Sequence, residues 1–322
     1  MNVLVVGGAG YIGSVVAQRL LDEGHQVTVA DNLSKGHRWA VPEGAPLEVV
    51  DLLDAKPVAE LVAAGSFDGV LHFAALSLVG ESVLEPARYF RTNVAGTVNL
   101  LDAIRAAGVP RLVFSSTAAV YGEPDEVPIP ETAPTRPTNP YGASKLAVDH
   151  LIGYEAAAHD LSAVSLRYFN VAGASGRQGE VHSPETHLIP LVLQAASGER
   201  PAVSIFGTDY PTRDGTAIRD YIHVEDLAAA HVLALEGAQE PGHRVYNLGN
   251  GSGFSVREVL EAAVAVIGRD IPAVEAPRRA GDPAVLVASS DRIRAELGWR
   301  AEKPELEAMI SDAWAFLQRH SG

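Results

Sequence analysis

The first thirty residues constrain this chain more than anything that follows. Asn2-Val3-Leu4-Val5-Val6 is a short apolar run rich in β-branched residues, and it leads directly into Gly7-Gly8-Ala9-Gly10-Tyr11-Ile12-Gly13. Such a run, ended by glycines, reads as a strand buried on both faces. From Tyr11 to Glu23 the apolar positions Ile12, Val15, Val16, Leu20 and Leu21 recur at helical spacing, Gly24 stops them, and Gln26 to Ala30 is again β-type. Strand, glycine turn, helix and strand in this order open a parallel sheet.

The alternation returns at Val49-Val50, Gly69 to Phe73, Arg111 to Ser115 and Ala163 to Tyr168, separated by helical patterns over Ala55–Ala64, Val83–Ala107 and Tyr141–His159. We therefore expect an α/β fold, a Rossmann-type doubly wound parallel sheet with helices on both faces. Between Val171 and Gly215 the character changes, with dense Gly, Pro, Ser and His and one apolar helix pattern near Leu188–Ala196. Ile218 to Gly237 reads as a strand, loop and helix returning to the first domain, Arg244 to Leu248 as a strand, and Ser255–Ile267 and Pro304–Gln318 as helices. The second lobe is expected to be smaller and discontinuous, with 1–174 and 218–250 in the sheet domain and 175–217 and 251–322 in the C-terminal lobe.

A length of 322 residues is ordinary for two domains. The longest uncharged stretch, Met1 to Gln18, is broken by four glycines and has no basic segment before it, so neither a membrane span nor a signal peptide is expected. A cytoplasmic location follows as the expectation. Without cysteine, a disulfide, a thiolate metal site, an Fe–S cluster and a Cys nucleophile are excluded. A net charge of −15 opposes nucleic acid and anionic membranes as partners. Lysine occurs only at 35, 56, 145 and 303, which gives weight to a lysine inside a motif.

Gly7, Gly10 and Gly13 lie three apart between a strand and a helix, where the backbone must turn tightly and let a diphosphate approach a helix N-terminus. Asp31 ends the second strand, where a carboxylate accepts ribose hydroxyls and repels a 2′-phosphate, favouring NAD over NADP. Lys35, His37 and Arg38 just downstream are read as a solvated loop rather than a phosphate site. Further on, Tyr141 and Lys145 stand four apart on one face of a helix that starts near Asn139-Pro140. An adjacent ammonium and an oxidised nicotinamide both favour the phenolate, which makes Tyr141 a base for an alcohol proton. Ser115, Ser116 and Thr117 end a buried strand at its carboxyl edge, where open α/β sheets bind ligands. Thr117 or Ser116 can donate there to a substrate oxygen.

These segments, together with Asp31-Asn32-Leu33, His72-Phe73-Ala74-Ala75, Val79-Gly80-Glu81-Ser82, Arg167-Tyr168-Phe169-Asn170, Phe206 to Thr212, Arg219 to Val224 and Arg278-Arg279-Ala280-Gly281-Asp282, resemble the UDP-glucose 4-epimerase family of the extended short-chain dehydrogenase/reductase superfamily. The resemblance spans almost the whole chain. It implies interconversion of UDP-galactose and UDP-glucose through transient oxidation and re-reduction at C4 with bound NAD. Tyr141 is then the base on O4, Lys145 holds the nicotinamide ribose, and Thr117 bonds O4. Gly7, Gly10, Tyr11, Ile12, Gly13, Asp31 and Asn32 line the dinucleotide, with Asp51 and Leu52 at adenine, Phe73, Ala74 and Ala75 beside the pyrophosphate, and Asn93, Ser115 and Tyr168 along the rest. On the substrate, Asn170 binds the diphosphate, Phe206 stacks on uracil, Arg219 and Arg279 clamp phosphates, Asp282 takes the ribose, and Leu188 and Ser204 complete the lining. The family pairs as homodimers through helices that here are Glu85–Ala107 and Tyr141–His159.

Three positions depart from the family pattern. Ser77 replaces a cofactor-contacting lysine, His187 stands where an asparagine often binds the diphosphate, and Leu286 falls where residue size sets which sugars fit. His72 and His223, in apolar strand-like surroundings, are read as core groups, and no metal is expected. A nucleotide-sugar dehydratase needs an extra acid and base, and Ala118 and Ala119 after Thr117 supply neither. Epimerisation of N-acetylated or uronic sugars, and a non-catalytic dinucleotide sensor, remain the alternatives.

Overall fold

A computed structural model describes residues 1–279 and 282–320; Ala280 and Gly281 of the arginine motif lie outside them. Six strands come first along the chain: β1 (Asn2–Val6), β2 (Gln26–Asp31), β3 (Leu47–Val49), β4 (Gly69–His72), β5 (Arg111–Thr117) and β6 (Ser162–Tyr168). Four short ones follow, β7 (Asn170–Ala172), β8 (Val203–Phe206), β9 (Ile218–Arg219) and β10 (Tyr221–His223), before β11 (Gly242–Leu248). The last are β12 (Phe254–Ser255), β13 (Ala273–Ala276) and β14 (Val285–Leu286). Seven of them form one parallel sheet in the order β11-β6-β5-β4-β1-β2-β3. The order reverses between β1 and β4, and open sheets of this kind bind ligands in the crevice at that reversal.

Burial on both faces explains the apolar strands. One face packs against α1 (Tyr11–Asp22) through Val3, Val5, Val15, Val16 and Leu20, and the other against α2 (Ala55–Gly65) through Leu4, Val58 and Val62. The expected helix over Val83–Ala107 is four pieces: α3 (Val79–Leu84), α4 (Pro86–Tyr89), a wide π-turn segment (Phe90–Ala95) and α5 (Gly96–Ala107). Pro86 is the cause of the first break, because it drives Glu85 out of the helical region, to φ −126° and ψ 54°. α6 (Pro140–His159) then runs along the sheet, its N-terminus capped by Asn139, which accepts from Gly142 N at 2.9 Å.

A separate core gathers α7 (Leu188–Ser197), α9 (Val256–Ile267) and α11 (Leu306–His320) around Val192, Leu193, Val259, Met309 and Ile310. Between them in sequence, α8 (Val224–Gly237) and α10 (Asp291–Leu297) pack on the large sheet's core through Leu227, Leu235 and Ile293. The short strands pair as β10-β7, β12-β9-β14 and β13-β8.

Candidate active site

The glycine turn sits at the sheet's reversal. Gly7 has φ +83°, and a Cβ there would lie 2.5 Å from Ala74 N, so the turn and the segment after β4 touch backbone to backbone. A Cβ on Gly13 would lie 2.3 Å from Gly7 O, which is how closely α1 packs on the turn. Gly10 is the N-cap of α1 and offers no side chain to satisfy the first amides of the helix. Those donors, at the positive end of the helix, suit a diphosphate. At the end of β2, Asp31 accepts from Ala9 N at 3.0 Å and Leu33 N at 2.8 Å. Burial pushes its carboxyl up and these amides hold it down. Each carboxylate oxygen keeps a lone pair for a ribose hydroxyl.

The neighbouring cofactor candidates mostly hold one another. Asn32 Nδ2 donates to Asp51 Oδ2 at 2.9 Å, and Leu52 packs against the core near Gly96. Asn93, buried on the π-turn segment, donates to Leu76 O and Ser144 Oγ, both at 3.0 Å, and accepts from Leu76 N at 2.8 Å. Both of its N–H groups are committed, so it positions the loop after β4 and α6 rather than reaching freely for a ligand. Lys35 donates to Ser183 O at 2.7 Å, which occupies the lysine nearest a possible 2′-phosphate, and His37 stacks on Trp39. Ser77 is exposed.

Tyr141, Lys145 and Thr117 converge at the carboxyl edge of β5. The Thr117 hydroxyl lies close enough to the Tyr141 phenol to pull its pKa down. Lys145 is buried, with its Nζ donating to Ser115 O at 2.7 Å and lying 4.7 Å from the Phe114 ring centre. Burial pulls Lys145 from 10.5 down to about 7, with Asp149 pulling the other way. Burial raises Tyr141, opposed only by Thr117. Lys145 Nζ is engaged by the Ser115 carbonyl, and Thr117 is the group that lowers Tyr141. Ser115 and Tyr168 share a short hydroxyl contact beside them.

Two supporting groups escaped the sequence. Tyr89, fully buried, meets the Tyr141 ring edge-on at 6.5 Å and hydrogen-bonds Glu81 and Leu78. Nothing local marks it. Asp149 is one helical turn past Lys145, and that spacing was the available signal. It accepts from Arg167 Nε at 3.0 Å and Ser116 Oγ at 3.1 Å, behind the pair. His72, buried, reaches Thr97 Oγ1 at 2.9 Å while its Nδ1 has no partner. His223 caps α8, accepting from Glu225 N, and reaches Asp312 at 3.1 Å.

Among the residues expected at the substrate, Arg279 lies 4.0 Å over the Phe206 ring and Arg219 pairs with Asp282. Arg278 pairs with Asp209 at 2.7 Å and covers Tyr210. Asp220 takes no arginine; it accepts from the amides of Asn250, Gly251 and Ala288. Leu286 is in register with Arg219 and packs against the small cluster of Ala118, Tyr121 and Phe169. Asn170 Nδ2 donates to Asp220 O at 2.9 Å, and Ser204 lies on β8 opposite Val274. His187, just before Leu188 and α7, is taken up by Glu180 at 2.7 Å and Glu185 at 3.0 Å. Burial would lower it, but the two carboxylates lift it to about 10.

The profile of the NAD dependent epimerase/dehydratase family matches residues 3–249, from β1 to just past β11. The chain belongs to the NAD dependent epimerase/dehydratase family. It is 59% identical over 318 residues to the UDP-glucose 4-epimerase of Streptomyces lividans, covering 98% of this chain and 96% of that one. Among solved structures it resembles the UDP-glucose 4-epimerase of Brucella ovis in complex with NAD, at 45% identity and a TM-score of 0.95 with 98% of each chain covered. It also resembles that of Bifidobacterium longum in complex with NAD+ and UDP, at 37% identity and a TM-score of 0.94, covering 100% of this chain and 99% of that one. NAD, the cofactor of the epimerase/dehydratase family, fits the residues present: an uncapped helix end, a turn without side chains and a carboxylate at the end of β2.

Proposed function

We propose that this chain interconverts UDP-galactose and UDP-glucose. The observation that carries the reading is a half-buried phenol, Tyr141, set beside the Thr117 hydroxyl and one helical turn from the buried Lys145 at the ligand-binding edge of the sheet. Gly7, Gly10, Tyr11, Ile12, Gly13 and Asp31 hold the dinucleotide, with Asn32, Asp51 and Leu52 at its adenine end. Phe73, Ala74, Ala75, Ser115 and Tyr168 flank the rest, and Asn93 shapes the loop beneath it. When bound, NAD would supply the hydride acceptor, and then the hydride donor, for C4 of the sugar. Tyr141 removes the O4 proton in the oxidising half and returns it in the reducing half, and Thr117 keeps O4 aligned with the phenol. Lys145, now drawn to Ser115 O, turns its charge towards the nicotinamide ribose and the phenol, countering the burial that raises Tyr141.

The sugar must present both faces to the same edge, so the substrate is held by its nucleotide. Phe206 stacks on uracil, Arg219 and Arg279 hold the phosphates through their planar forks, and Asp282 takes the ribose. Asn170, His187, Leu188 and Ser204 complete the lining. Guanidinium groups are also what an anionic substrate requires in a chain of net charge −15.

The test is purified protein mixed with UDP-galactose and no added reductant. UDP-glucose should appear until the two sugars equilibrate. No conversion of any UDP-hexose by protein that contains NAD would make the chain a dinucleotide sensor. Leu286, at the position where residue size sets which sugars fit, leaves N-acetylated sugars open as a second reading. Turnover of UDP-galactose, UDP-N-acetylgalactosamine and UDP-galacturonate side by side decides between them.

We further assign the chain to a homodimer, with 1–174 and 218–250 forming the NAD-binding domain and 175–217 and 251–322 the substrate lobe, except that α10 and Trp299 within the last segment pack back on the sheet domain. Exposed Phe90, Val98 and Tyr154, on the segments over 85–107 and 141–159, support a second copy as the partner. Among the described residues no helix is long and apolar enough to cross a membrane, and we place the enzyme in the cytoplasm.

A further inference from the structure

Glu180, His182, Glu185 and His187 lie in eight residues between β7 and α7, and their side chains turn inward on one another. One ligand atom from each falls within 4.8 Å of all the others. His182 Nδ1 is 2.9 Å from Glu180 Oε1 and 4.0 Å from Glu185 Oε2, and His187 Nδ1 is 2.7 Å from Glu180 Oε1 and 3.0 Å from Glu185 Oε1. We propose that these four residues form a four-coordinate site for a divalent transition-metal ion, zinc by its ligand set. Glu180, His182 and Glu185 take no part in the sugar chemistry, and His187, engaged here through Nδ1, keeps Nε2 for the substrate lining assigned to it above.

The distances fit such a centre. Zinc binds imidazole nitrogen and carboxylate oxygen at about 2.0–2.2 Å in a tetrahedron, which sets ligand atoms roughly 3.3–3.5 Å apart. Three of the separations above, 2.9, 2.7 and 3.0 Å, are shorter than that and the fourth, 4.0 Å to the other oxygen of Glu185, is longer, so small side-chain shifts would open the cluster to the size of the ion. The charge fits as well: two carboxylates and two neutral imidazoles balance one divalent cation. The two imidazole rings, with centres 5.4 Å apart, aim their Nδ1 atoms at the same carboxylate oxygen, and a single cation would stand in place of the N–H protons between those nitrogens and the carboxylates.

The surroundings resemble a built site rather than a solvated ion pair. The Glu180 and Glu185 side chains are 9% and 6% exposed. Glu185 Oε1 is held by the amides of Thr186 at 2.6 Å and His187 at 2.8 Å, the outer-shell support that orients a ligating carboxylate. A cavity of about 210 Å³ has Glu180, His182 and Glu185 in its wall and provides a path for the ion. Tyr11, in the first turn of α1, feels both carboxylates and donates to Gly173 O at 2.6 Å. The metal thus pins the segment from 173 to 187 against the glycine turn and serves as a structural clasp, with all four positions filled by protein.

The experiment uses the NAD-loaded protein, treated with a chelator and then titrated with zinc or magnesium while bound metal and melting temperature are measured. We expect one zinc per chain, a higher melting temperature with zinc and none of this with magnesium. His182→Ala should weaken zinc binding by about 100-fold or more, since a three-ligand remnant lacks the closed shell. Should that variant misfold, the wild-type titration still decides. Failure to bind one equivalent of zinc, equal response to magnesium, or unchanged zinc affinity in folded His182→Ala would overturn the proposal. Metal content is read without turnover, so the outcome is independent of the epimerase reading.

Discussion

The cofactor side and the substrate side of the site are built differently. On the cofactor side the groups that matter are backbone: uncapped amides of α1, a turn in which Gly7 and Gly13 leave no room for a Cβ, and one carboxylate held by two amides. On the proposed substrate side they are long side chains from β9 and the segments after β8 and β13, and they are paired with one another: Arg219 with Asp282 and Arg278 with Asp209. A side built of backbone is preformed, whereas a side built of ion pairs must exchange partners when an anion arrives. Specificity for the sugar nucleotide therefore carries a cost that NAD binding does not.

The largest effect falls where the two sides meet. Tyr141→Phe should cut kcat by about 10²–10⁴-fold while NAD content and the melting curve stay as in the wild type, because only the proton-carrying oxygen is lost. A variant that retains its rate would take Tyr141 out of the chemistry. Behind the cofactor side, Asp149→Ala leaves Arg167 buried without its carboxylate and should destabilise the fold by about 3–5 kcal/mol in denaturant unfolding. A loss no larger than that of an exposed pair would show that the interior of the two sides is equally tolerant.

On the substrate side, Arg279→Ala should raise KM by roughly 10–150-fold, the equivalent of one charged hydrogen bond, and leave NAD binding unchanged. Equal loss of both ligands would abolish the division. Lys145 gives a smaller signal, visible as a slope. Its folded pKa of about 7 lies below its ordinary 10.5, so between those values the unfolded chain holds a proton that the folded chain does not. Its contribution to stability therefore rises with pH from about 7 to about 10. Wild-type stability minus that of Lys145→Met, measured in cofactor-free protein, should increase across this range; a flat difference would contradict the burial of the ammonium. Arg278→Ala, which breaks an exposed pair, should change stability least of all.

The same division explains what the sequence reveals. The glycine turn, Asp31 and the alternation of strands and helices are local patterns, each fixed by neighbours within a few residues, and the sheet order follows from them. The broken helix over 79–107 shows the limit: Pro86 signalled a boundary, but the π-turn that aims Asn93 inward depends on packing against α6. Tyr141 and Lys145 were visible by spacing, yet their roles in the free chain depend on Ser115 and Asp149, which reach them through the fold. The strands β8 and β13 pair across 66 residues of intervening chain, from 207 to 272, and no periodicity announces a pairing that distant. Of the four residues proposed to hold a metal, only His187 carried a reading from the sequence, because the grouping depends on a turn that brings all four face to face.

Both sides of the site must act on one hydrogen for an epimerase to work. UDP-galactose carrying deuterium at C4 tests this most directly, with the product examined by mass spectrometry and NMR. The account predicts UDP-glucose that keeps the label at C4, because the hydride taken from the sugar returns to the same carbon. Label lost to water, or found at another carbon, would contradict it.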